Sequence, residues 1–83
     1  MPRFFFDIND NGQFSQDEIG VDCDGEEAVR KAAIEALPTL ARDVMPDGDH
    51  HVISVLVRDA QGTTVLRSSL TLDVVWLKDH EKQ

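Results

Sequence analysis

The last third of the chain carries the clearest pattern. From Thr63 to Val75, Leu66, Leu70, Leu72 and Val74 alternate with Arg67, Ser69, Thr71 and Asp73, the period-two signature of a strand with one buried face. Val52 to Arg58 is β-rich and apolar on both sides, and Asp59-Ala60-Gln61-Gly62 between the two stretches reads as a hairpin turn. At the other end, Arg3 to Asn9 reads as a strand, bounded by Pro2 and by the turn cluster Asn9-Asp10-Asn11-Gly12. Residues near Phe14, and again Ile19 to Cys23, are expected to return beside it. Gly12 would supply the left-handed turn conformation without steric cost.

Between the hairpins the period changes. Ala28, Val29, Ala32, Ala33, Ala36, Leu37, Leu40, Ala41, Val44 and Met45 recur at helical spacing. Asp24 is placed to act as N-cap, with Glu27 three residues on as in a capping box. Glu26–Arg30 and Glu27–Lys31 are favourable pairs on the wet face. Pro38 removes one helical amide and predicts a kink, but the apolar stripe keeps phase across it, which favours one kinked helix over two. Pro46 and Gly48 end the helix.

The expected order is therefore ββαββ, an α+β domain whose antiparallel sheet carries one helix on one face. Residues 1–77 form a single unit and residues 78–83 a polar tail. One helix covers one face only, yet Phe4, Phe5 and Phe6 cannot all point the same way. The uncovered face should carry apolar area at Phe5, Val52, Leu56 and Val65, and a homodimer through the sheet is the economical cover.

Composition narrows the partners. Sixteen acidic against eight basic residues give a formal charge of −8 over 83 residues. That field repels phosphate backbones, so nucleic acid is a poor partner, whereas a basic protein surface or a divalent cation suits it. Cys23 is the only cysteine, which rules out an internal disulfide. The expectation is a soluble, cytoplasmic protein without leader or membrane span.

One segment names a chemistry. Asp7 to Glu18 (DINDNGQFSQDE) spells an EF-hand calcium loop, with candidate ligands Asp7, Asn9, Asn11, Gln13 and Glu18 and the tight turn at Gly12. The six residues before it read as strand rather than helix, so hairpin chemistry explains the same Asn, Asp and Gly residues. His50 and His51 would point to opposite faces of a strand; beside Asp47 and Asp49 they are expected in a wet loop, and His80 in the tail. Cys23 lies near a helix start, but Asp22, Asp24, Glu26 and Glu27 disfavour its thiolate, leaving a structural thiol. Ser68-Ser69 has no His partner, no pocket-forming segment is visible, and Trp76 reads as core or interface. No enzyme is expected.

The chain as a whole resembles a family of short bacterial proteins that carry a domain of unknown function. The resemblance lies in Met1-Pro2-Arg3-Phe4-Phe5-Phe6-Asp7, Asp17-Glu18-x-Gly20, Glu27-Ala28-Val29-Arg30, Leu37-Pro38, Ala41-Arg42-Asp43, and Val57-Arg58-Asp59 with Gly62. It extends over residues 1 to about 77 and implies a small α+β unit with a Gly-containing turn after the first strand, and no particular activity. Residues Asp24 to Ala41, an acidic start leading into an Ala-rich helix after a hairpin, are also loosely similar to the small domain of HicB-type antitoxins. The functional expectation is a homodimeric interaction module. The alternatives are calcium binding by residues 7–18 and an antitoxin-like binder of a basic protein.

Overall fold

A computed structural model describes residues 2–78. Strand β1 (Arg3–Asp10) is followed by β2 (Gln13–Ser15), β3 (Val21–Asp22), helix α1 (Glu26–Val44), β4 (His50–Arg58) and β5 (Thr64–Asp73). The sheet is antiparallel in the order β2-β1-β4-β5, and β3 pairs with β1 as well. The α+β class is as expected. The order differs from ββαββ, because the two stretches expected to return beside β1, near Phe14 and from Ile19 to Cys23, form separate short strands, β2 and β3.

The β1–β2 connection is a two-residue turn, Asn11-Gly12, between the partners Asp10 and Gln13. Both turn residues have positive φ (53° and 101°), the mirror-image turn whose twist matches that of paired strands. At the other hairpin, Asp59 Oδ1 accepts from the amides of Gln61 and Thr63, and the Gly62 amide donates to the Asp59 carbonyl.

Helix α1 runs unbroken through Pro38. Proline leaves the Ile34 carbonyl without its usual donor, but Ile34 and Pro38 are both exposed, so water can take that place. The start corrects the capping expectation. Gly25, at φ 94°, is the N-cap residue and no side chain caps the helix. Asp24 lies one residue too early for that role. On the wet face the pair that forms is Glu27 with Arg30, at 3.3 Å, a three-residue spacing in place of the expected four.

Val29, Ala33 and Leu37, four residues apart, make the buried stripe of α1. They pack on Ile53, Val55 and Val57 of β4, all fully buried, with Cys23 beside them and Phe4, Phe6, Ile8, Leu40 and Leu66 around the rim. Each buried branched aliphatic side chain contributes about 1.5–3 kcal/mol. Ala33, fully buried, has only a methyl group to hold the helix away, so α1 lies close over β4. Cys23 is therefore a core thiol, as expected.

His50 and His51 belong to β4 rather than to a wet loop. They do point to opposite faces: His50 is exposed, whereas His51 is 1% exposed under the helix. Lys78 is exposed; the rest of the expected tail, including His80, lies outside the described residues.

Candidate functional site

Alternation along the strands places Arg3, Phe5, Asp7 and Asn9 of β1 on the face away from α1, opposite Arg58, Leu56 and Ser54 of β4. On the outer edge of β1, β3 pairs with Arg3 and Phe4 while β2 pairs with Ile8, Asn9 and Asp10. The interval between them has no strand partner, because the chain loops out over residues 16–20. Side-chain hydrogen bonds fill the gap. The Phe6 amide donates to Asp17 Oδ2 (3.1 Å), and the Asp17 amide donates to Asp7 Oδ1 (2.9 Å).

Arg58 reaches the same point from β4. Its Nε donates to Asp7 Oδ2 (2.6 Å), and its Nη2 to both Asp7 Oδ1 (3.1 Å) and the Asp17 carbonyl (3.0 Å). The guanidinium also lies 5.0 Å from the centroid of the Phe5 ring, within cation–π range. Asp17 Oδ1 accepts from the amides of Ile19 and Gly20, closing the loop on itself. Gly20 is required there: its φ is +81°, and a Cβ would sit 2.8 Å from Arg3 Cγ and 2.9 Å from Phe5 Cε2. Arg3 completes the ring by donating from Nη1 to the Ile19 carbonyl and pairing with Asp22.

The electrostatics keep these groups charged. The hydrogen bonds from Arg58 hold the Asp7 carboxyl below the usual aspartate range, against the opposing effect of burial. Burial pushes Asp17 up, but the amides of Phe6, Ile19 and Gly20, together with Arg58, outweigh it and leave that carboxyl lowered too. Asp7 in turn raises Arg58. Carboxylates fixed in the ionised form are poor proton shuttles near neutral pH. What the cluster does is fasten β1, the looped-out segment and β4 together.

This geometry disperses the calcium-loop residues. Asp7 is 3% exposed and taken by Arg58. Asn9 Oδ1 accepts from the Gly12 amide and Asn11 Oδ1 from the Val52 amide. Gln13 is an exposed residue of β2, and Glu18 is exposed in the loop. Among the described residues, no group of three or more His, Cys, Asp or Glu is arranged to hold a metal ion.

A second buried polar pair lies on the helix face, where His51 Nε2 and Asp10 Oδ1 are 2.5 Å apart and His51 Nδ1 has no hydrogen-bond partner. Among the described residues, open grooves border the helix, where no pocket-forming segment was expected. One, of about 460 Å³, has Phe4, Val29, Val65 and Leu66 as its apolar lining and charged residues at its rim. Another, of about 200 Å³, lies between Ile8, Asp10, Ser15, Leu40, Val44 and Ile53. The Asp7–Arg58 cluster is on the opposite face of the sheet from both.

The expected interface residues separate. Phe5, Val52 and Leu56 are half-buried on the open face, where Arg58 lies against Phe5 and Ser54 bonds Ser69. Val65, beside an irregularity of the β4–β5 ladder, belongs to the larger groove. Exposed apolar residues lie at both edges of the sheet: Phe14, Ile19 and Val21 on the β2–β3 side, and Leu70, Val74, Val75, Trp76 and Leu77 along β5 and its continuation.

The fold and the cluster define a small α+β domain, a sheet with one helix, whose broken edge strand is tied down by an Asp–Asp–Arg network. Residues 3–71 match the family DUF6894, described as a domain of unknown function, and the chain belongs to that family. No curated protein and no solved structure matches it. Arg3, Phe5, Asp7, Asp17, Gly20 and Arg58, scattered through the motifs that carry the resemblance, meet in this one network. Within the described residues, no helix is long and apolar enough to cross a membrane.

Proposed function

We propose that this domain is a non-enzymatic protein-interaction module that works as a homodimer. One observation carries the reading: β5 is a ten-residue edge strand whose only strand partner among the described residues is β4. Edges of that length expose a row of main-chain donors and acceptors, and proteins ordinarily blunt them with prolines, lysines or covering segments. The opposite edge of the sheet is blunted in this way by β2, β3 and the Asp17 loop. β5 contains neither Pro nor Lys, and exposed apolar side chains follow it. The buried charged groups support the non-enzymatic part, since Asp7 and Arg58 are engaged with one another.

Sedimentation velocity over a wide concentration range tests the reading. The expected result is a reversible monomer–dimer equilibrium. A chain that stays monomeric throughout would overturn the homodimer; one that also co-purifies with a small basic protein would favour the antitoxin-like alternative.

A further inference from the structure

We infer that two copies of this chain join through their β5 edges, antiparallel, with Leu70 opposite the partner's Leu70 and Arg67 opposite the partner's Asp73. The inference rests on the homodimer reading above and assigns its surface and register.

The ladder shows which main-chain groups are free to pair. The Val74 amide donates to the Asp49 carbonyl, and in an antiparallel ladder the bonded residues alternate. Even-numbered residues of β5 therefore bond to β4, and the amides and carbonyls of Arg67, Ser69, Thr71 and Asp73 face outward. A two-fold axis at Leu70 sets Arg67 against the partner's Asp73, and Ser69 against the partner's Thr71. With the two symmetric counterparts, four residue pairs then exchange about eight main-chain hydrogen bonds.

Side chains select this register from its neighbours. Arg67 and Asp73 are the only charged residues of β5, and both lie on the open face, opposite Leu56 and His50 of β4. Only the Leu70-centred alignment brings each onto its opposite charge in the other copy, and it does so twice. A shift by two residues in either direction leaves both charges facing uncharged side chains. On the helix face the same alignment puts Leu70 against its own copy in a non-hydrogen-bonded pair, where side chains approach most closely. It also carries Val74 to the partner's Leu66 and Val75 to the partner's Val65. Leu70, Val74, Val75 and Val65 are 38%, 48%, 64% and 51% exposed in the single chain. Charge meets opposite charge at Arg67 and Asp73, and apolar meets apolar at Leu70, Val74 and Val75, while Ser68 faces the partner's Leu72; the surface is self-complementary, as an interface between identical copies requires.

Charge exchange tests the register with the full chain. Arg67→Asp leaves two facing acidic pairs in its homodimer, and Asp73→Arg leaves two facing basic pairs. Each single variant should dimerise about tenfold or more weakly than wild type. An equimolar mixture of the two should form a heterodimer, because each Asp then meets an Arg, and the double variant should regain self-association. Ser69→Pro, which removes an outward-facing amide that β4 does not use, should abolish dimerisation while far-UV circular dichroism stays unchanged. A wild-type dimer indifferent to all of these variants would overturn the β5 assignment and leave the homodimer standing on another surface. A wild-type monomer would overturn both.

Discussion

Asp7→Asn is the substitution that weighs the network most directly. The carboxylate accepts three hydrogen bonds, two from Arg58 and one from the Asp17 amide. The amide oxygen of Asn can keep the two bonds at the Oδ1 position, but without the negative charge. Its NH2 then faces Arg58 Nε, donor against donor, where the native contact is 2.6 Å. A hydrogen bond to a charged group contributes about 1.5–3 kcal/mol and a neutral one about 0.5–1.5, so one bond lost and two weakened sum to roughly 2–4 kcal/mol. A domain of this size is stable by roughly 4–12 kcal/mol, so the loss is a large share of the total. Urea unfolding followed by far-UV circular dichroism reads it, and the melting temperature should fall by roughly 10–30 °C.

The pH dependence separates this cause from generic damage. Asp7 has a lowered pKa in the folded chain, so the unfolded chain binds the proton first as pH falls. Its contribution is complete above about pH 4, the unfolded aspartate range, and is lost as pH drops through the lower folded value. Asp17 has the same sign in both proteins, and the variant lacks its repulsion with Asp7, so the Asp17 contribution persists to lower pH there and does not account for a gap that shrinks in acid. The gap between wild type and Asp7→Asn should thus be full at pH 7 and shrink steadily in acid. A gap under about 0.5 kcal/mol at pH 7, or one that persists unchanged at low pH, would refute the account.

Three further outcomes follow from the same geometry. Gly20→Ala forces a side chain into left-handed backbone against Arg3 and Phe5 and should cost about 2–4 kcal/mol in thermal melts, whereas Gly62→Ala, with open space around it, should cost about 1–2. Asp10→Ala leaves the 1%-exposed His51 without its one hydrogen-bond partner and should cost about 1–3 kcal/mol; His51→Leu, which removes the buried polar atoms outright, should cost less in the same urea assay. Calcium titration followed by amide NMR should give no saturable shifts confined to residues 7–18, because the side-chain oxygens of Asp7, Asn9 and Asn11 already accept protein donors.

Local pattern and tertiary structure divided the outcome along physical lines. Period-two alternation marked β5 and the apolar run marked β4, because burial on a pleated sheet is written residue by residue. The phase of Val29, Ala33 and Leu37 marked the helix and its buried side, and it survived Pro38 because that residue lies on the wet face. Asn11-Gly12 and Asp59-to-Gly62 declared their turns through backbone preferences that need no distant contact. The family, too, was legible from short motifs.

Whatever depends on residues far apart in the chain was decided by the fold. Asp7 reads locally as a calcium ligand; β1–β4 register brings Arg58, 51 positions later, onto it and makes it half of an ion pair. Asp10 and His51, 41 positions apart, meet for the same reason, so a histidine that local composition puts in water is buried. The break between β2 and β3 depends on Asp17 taking the Phe6 amide that a neighbouring strand would otherwise hold. Helix placement over β4 and β5 decided which apolar residues stay exposed, and our proposed interface accordingly lies at the β5 edge instead of the sheet face. A sequence states what each residue prefers nearby, and only strand register and packing determine which distant group satisfies it.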